Sequence, residues 1–121
     1  MYIIYDIIFL SVIYHVKEDF MFRKEIFISH LSRTRDMIVE ALAEDLTVFP
    51  NEEHVRGYFV GELNMIQFII ENIDNYDMLD DNPYFHKWLD EKIKDLKTYR
   101  DPIVVQFILL KQQIQNRNLA R

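Results

Sequence analysis

Residues 51–73 read NEEHVRGYFVGELNMIQFIIENI. Val55, Phe59, Leu63, Ile66, Ile70 and Ile73 recur at steps of three and four. At roughly 100° per residue they fall within about 80° of one another, which is the pattern of an amphipathic helix and not of a strand. Asn51 is a good N-cap, and Glu52 and Glu53 sit at the positive end of the helix dipole. Gly57 and Gly61, the only two glycines of the chain, lie on the opposite side of the wheel with Asn64 and Phe68. Glycine in a helix interior costs roughly 1 kcal/mol against alanine. Two such costs on one face predict the close approach of a second element. Packing inside the domain is the favoured expectation, and a partner chain is the other. Gly57, Gly61, Asn64 and Phe68 are therefore candidate partner-binding residues.

Outward from this helix, three prolines punctuate the chain. Upstream, Ile28, Leu31, Ile38, Leu42 and Leu46 keep helical spacing across residues 22–46, and Pro50 closes that block. Ser32 or Thr34 offers an N-cap for a fresh helix near Arg35, which predicts a bend there. Downstream, residues 74–82 read as a polar, acidic connection. Asn82-Pro83 and Asp101-Pro102 each place a capping side chain before a proline, a helix-start signal. The helix after Pro83 carries Phe85, Trp88, Leu89, Ile93 and Leu96 and ends near Tyr99. The last carries Ile103, Phe107, Leu110 and Ile114, with a polar tail from Gln112 that is expected to fray. The fold expected is all-α: a compact bundle of four to six helices with short loops, one domain over residues 1–121.

Tyr2 to Val16 reads YIIYDIIFLSVIYHV. About 15 residues are too few to span a bilayer as a helix, which needs about 20. No positive charge precedes the run and no small-residue cleavage site follows it, so it does not read as a secretion signal. A buried helix or strand-like segment is the favoured reading, and contact with a membrane surface the lesser one. Met21 also reads as an alternative start, which would make residues 1–20 a separate apolar segment.

The 20 acidic and 14 basic residues give a formal charge of −6, which disfavours direct nucleic-acid binding. The chain has no cysteine, so disulfides, thiolate metal sites and cysteine nucleophiles are excluded. Two stretches hold acids and no lysine or arginine. One runs from Asp36 to Glu53 and the other from Glu71 to Asp81. Asp74, Asp77, Asp80 and Asp81 of the second are candidates for engaging a basic partner.

Catalytic patterns are lacking. The sequence holds no phosphate-binding glycine loop, no GxSxG elbow and no HExxH. Carboxylate di-metal sites in helical bundles use Glu-x-x-His, which does not occur. His86 and Asp90 share a helix face, but two ligands make no metal site, and a surface hydrogen-bonded pair is the simpler expectation. No cofactor, metal or catalytic residue is assigned.

Arg35 to Ala43 reads R-D-x-I-V-x-A-L-A, and Val55 to Gly61 reads V-R-G-Y-x-x-G before an apolar helix. With these, Ser32 to Ile73 resembles the small helical proteins that bacteriophages encode. The resemblance covers about a third of the chain and carries no catalytic residues. It implies a virion component or an accessory protein that acts by binding. The function expected is a non-enzymatic interaction or structural protein that oligomerises or docks on a larger assembly through apolar helix faces. The alternative is an acidic inhibitor or nucleic-acid mimic that occupies a basic site. The setting is cytoplasmic or virion-associated, not secreted, and the partner is another protein or a second copy.

Overall fold

The computed structural model describes residues 21–119, with side chains as far as Arg117, and within them every regular element is a helix. Five α-helices follow in order: α1 Lys24–Ala43, α2 Glu52–Asn72, α3 Tyr76–Asp80, α4 Pro83–Thr98 and α5 Val104–Leu119, with a single 3-10 turn at Leu46–Val48. The helical bundle expected from the sequence is what forms. The apolar run of residues 2–16 lies outside the described residues.

Helices α1 and α2 form an antiparallel hairpin. Its closed end is the turn at residues 44–51, and its other end is tied by Lys24 Nζ donating to Asp74 Oδ1 at 3.0 Å. Helix α1 runs without a break through Ser32 and Thr34, so the predicted bend is absent. Thr34 Oγ1 donates back to the His30 carbonyl at 3.0 Å. That bond satisfies the hydroxyl within a continuous helix and leaves it unable to cap a new one. Asn51 does occupy the N-cap of α2, but its side chain makes no capping bond. Asp45 caps the 3-10 turn instead, accepting from the Thr47 N–H at 3.0 Å. The Thr47 hydroxyl, which also donates to Asp45 Oδ1 at 2.5 Å, and then the Thr47 N–H hold the Asp45 carboxyl below its usual range.

Residues 74–82 are not simply a connection. They contain α3, capped by Asn75, which accepts from the Met78 N–H. Its Leu79 is fully buried. The Asn82-Pro83 start behaves as read: Asn82 Oδ1 accepts from the N–H groups of Tyr84 at 2.9 Å and Phe85 at 3.2 Å. Asp101 Oδ1 accepts from the Ile103 N–H at 3.0 Å, and α5 begins one residue later. Arg100 takes a left-handed φ of 55° to turn the chain between α4 and α5. Such a residue just past a helix end lets the last carbonyls find N–H partners, as Asp101 N–H does on the Leu96 carbonyl at 2.9 Å.

The expected fraying of the polar tail does not occur before Leu119. Ile114 is buried, Gln113 accepts from the Tyr76 hydroxyl at 2.5 Å, and Arg117 pairs with Asp77 at 2.7 Å. Tertiary bonds to α3 hold the last turns where local propensity alone would not.

The core lies between the open half of the hairpin and the α4–α5 pair. Phe27 and Leu31 of α1, Ile66 and Ile69 of α2, Phe85 and Leu89 of α4, and Phe107 and Leu110 of α5 are all 0–1% exposed. Phe107 is the hub. Its ring meets Phe27 edge-on at 4.9 Å, His30 edge-on at 5.7 Å and Trp88 at 5.8 Å. Gln106, the sole buried polar side chain among the described residues, accepts from the Arg23 backbone N–H at 2.7 Å. Among the described residues no helix is long and apolar enough to cross a membrane.

Candidate functional site

The glycine face of α2 is open. An added Cβ at Gly57 or Gly61 would meet no described atom within 4 Å, and neither glycine has a positive φ. The close approach expected inside the domain is therefore not made by any described residue. Asn64 is exposed on the same face. Phe68 departs from this group, since it is half-buried and packs against the core. The buried stripe is centred on Ile66, Ile69 and Ile73. Ile69 was missed by the sequence reading because it lies just beyond one edge of the predicted stripe.

The two acidic stretches are set far apart. Glu53 and Glu71 are 18 residues apart on one helix, about 27 Å at 1.5 Å per residue. They share no continuous surface along α2, as a single nucleic-acid-like face requires. Their electrostatics also differ. In the second stretch Asp74 is paired with Lys24 at 3.0 Å, Asp77 with Arg117 at 2.7 Å and Asp80 with His86 at 3.0 Å. Asp74 in turn raises the Lys24 pKa. Three of the four aspartates proposed from sequence as partner contacts thus hold the chain's own helices together. Asp81 is exposed. The sequence hid this because Lys24 and Arg117 are 50 and 40 positions distant from their partners.

The first stretch keeps its charge. Between residues 36 and 60 lie Asp36, Glu40, Glu44, Asp45, Glu52 and Glu53 against Arg56 alone. Arg35 meets Asp36 at 3.7 Å and Arg56 meets Glu52 at 3.3 Å, both pairs partly exposed. Glu40, Glu44 and Glu53 are exposed and have no ion-pair partner among the described residues. The same end of the hairpin carries Met37, Val39, Val48, Phe49, Tyr58 and Val60 at 44–75% exposure. Phe49, Glu52 and Glu53 line one shallow recess of about 450 Å³. Only Leu46 is buried in the turn itself, at 4% exposure. The outer end of the hairpin thus combines exposed apolar side chains, carboxylates without an ion partner among the described residues, and a glycine face that no described residue covers.

A second feature lies where the hairpin leaves α4. A cleft of about 190 Å³ is lined by His30 and Thr34 of α1, Glu62 of α2, Trp88 and Lys92 of α4, and Phe107 of α5, among others. Glu62 lies inside this junction, its side chain 13% exposed. It accepts from Trp88 Nε1 at 3.2 Å and pairs with Lys92 at 2.9 Å, while Lys92 Nζ sits 5.8 Å from the Trp88 ring centre. Burial pushes the His30 pKa down, with Arg33 and Lys92 acting the same way and Asp101 opposing. Glu62, Trp88 and Lys92 serve one another across α2 and α4, which is the arrangement of a structural brace. Sequence gave no warning of it, because Glu62 reads as one more surface acid on a long helix.

The His86–Asp90 pair expected from the sequence does not form. The His86 Nε2–H donates to the Asp80 carbonyl at 2.8 Å and faces Asp80 Oδ1, while Asp90 accepts from Lys111 at 2.6 Å. Among the described residues no group of three or more acidic or histidine side chains is placed to hold a metal ion. Comparison of the chain with protein-family models, curated proteins and solved structures finds no match.

Proposed function

We propose that this protein acts by being bound, as an interaction or structural protein that oligomerises or docks on a larger assembly through the outer end and glycine face of its α1–α2 hairpin. The resemblance of residues 32–73 to small bacteriophage proteins suggests a virion or accessory component as the setting. The observation that carries the reading is the pair of open glycines. They weaken α2, and no described residue of the chain uses the space they leave. A surface of that kind is accounted for if a second molecule packs against it.

The glycines also supply the test. Gly57→Ala and Gly61→Ala meet open space, so together they should stabilise the fold by about 1–2 kcal/mol. If a partner or second copy packs there, the same pair of methyl groups should weaken the association. Light scattering coupled to size exclusion, on the full chain and on this double variant, reads the outcome. A defined oligomer that falls to monomer in a more stable variant supports the reading. A protein that is monomeric at tens of micromolar in both forms, with no partner captured, counts against it.

The acidic-mimic alternative has less support, since the second acidic stretch is largely paired internally and Glu53 and Glu71 lie about 27 Å apart along α2.

A further inference from the structure

We infer that the outer end of the α1–α2 hairpin receives an apolar segment of another protein that carries lysine or arginine beside its apolar residues. This rests on the interaction reading above and names the partner's chemistry. The apolar half of the argument is the exposure of Val48 at 75%, Tyr58 at 58% and Phe49 at 46%, close to the turn that joins the two helices. Exposed apolar side chains gathered at one place mark contact surfaces. The charged half is the imbalance already described. Of the six acids between residues 36 and 60, Asp36 meets Arg35 and Glu52 meets Arg56, and Glu40, Glu44 and Glu53 lack ion partners among the described residues.

That imbalance selects among occupants. A second copy meeting this end by two-fold symmetry would bring like charges together, which opposes association. A basic partner would gain from the same field. The recess lined by Phe49, Glu52 and Glu53 offers a cationic head the Glu53 carboxylate, which has no ion partner among the described residues, beside an exposed aromatic residue, while Glu52 already meets Arg56. The paired aspartates at the opposite end of the bundle offer no such field, because Lys24 and Arg117 already meet them.

The probe is a fluorescein-labelled helical peptide of leucine and lysine with apolar residues at helical spacing. The comparison is the same peptide with glutamate for lysine. Binding to the full chain is read by fluorescence anisotropy at low and at physiological salt. The lysine peptide should bind more than about tenfold tighter than the glutamate peptide, with the difference shrinking as salt rises. Val48→Ser/Phe49→Ser and Glu40→Gln/Glu44→Gln/Glu53→Gln should each remove most of that preference. Glu71→Gln/Asp81→Asn, at the far end, should leave it intact. Equal binding of the two peptides overturns the inference, as does a preference abolished by the far-end variant alone. Light scattering on the same samples separates this from the parent reading. An oligomer broken by the glycine variants with no lysine preference keeps the interaction reading and removes the basic partner. An oligomer broken by Val48→Ser/Phe49→Ser assigns the outer end to a second copy and also overturns the inference.

Discussion

Phe107→Ala tests whether the described core is assembled around one side chain. Phe107 is 1% exposed and touches residues of α1 and α4 from its place on α5. Truncating a buried phenylalanine costs about 3–5 kcal/mol through lost transfer energy and the cavity left behind. Edge-on ring pairs add about 0.5–1.5 kcal/mol each beyond area burial. Phe107 makes two such contacts, with Phe27 and His30, so the expected loss lies at the upper end of that range. Against a typical domain stability of about 5–15 kcal/mol, this leaves a folded but much weakened protein. Urea unfolding followed by far-ultraviolet circular dichroism measures it as a shifted midpoint at unchanged slope. Tyr99→Ala, at a site 83% exposed, is the control and should stay within about 0.5 kcal/mol of wild type. A cycle with Phe27→Ala should show a coupling of about 0.5–3 kcal/mol. A Phe107→Ala loss under about 1 kcal/mol, well below what a filled site costs, would refute the packing described.

Three further outcomes follow from named contacts. Asn82→Ala removes the acceptor for the Tyr84 and Phe85 N–H groups and should cost about 1 kcal/mol in the same assay. Glu62→Gln weakens the link to Lys92 and Trp88 and should cost about 1.5–3 kcal/mol, the range for hydrogen bonds to charged groups. The lowered His30 pKa sets a pH dependence with a definite sign. The folded state resists protonation that the unfolded chain accepts near pH 6.5, so stability should decline as pH falls below about 6.5 and level off below the folded value. His30→Gln should flatten that decline in thermal unfolding measured across the range, and an unchanged slope would assign it to other groups.

Where the sequence was legible, local chemistry governed. Asn82 followed by Pro83 specifies a helix start within a few residues, and the structure uses it without modification. The apolar stripe of α2 was legible because six apolar residues recur at helical spacing over residues 55–73, of which Ile66 and Ile73 are buried. The sequence was less informative wherever the deciding partner is remote. Thr34 reads as a cap until its bond to the His30 carbonyl is seen. Residues 112–117 look too polar to hold a helix, yet Tyr76 and Asp77 fasten them from α3. The candidate site divides in the same way. The cost of Gly57 and Gly61 in a helix was readable because it is local, but the packing inside the domain that it predicted is not made by any described residue. The ion pairs of Asp74, Asp77 and Asp80 were not legible, because Lys24, Arg117 and His86 lie in other helices. Val48, Phe49 and Tyr58 were not singled out, since only the fold shows that nothing described covers them.

The placement of Trp88 has a practical consequence. It is the only tryptophan of the chain, and it stands at the junction of α2, α4 and α5, with its indole N–H on Glu62 and its ring beside Phe107. The protein therefore carries its own optical gauge of how the hairpin is seated. A ligand gripping the outer end that levers the hairpin against α4 should alter the indole emission without any label. One that binds the tip and leaves the junction undisturbed should be spectroscopically silent, so a single titration distinguishes a rigid arm from a hinged one.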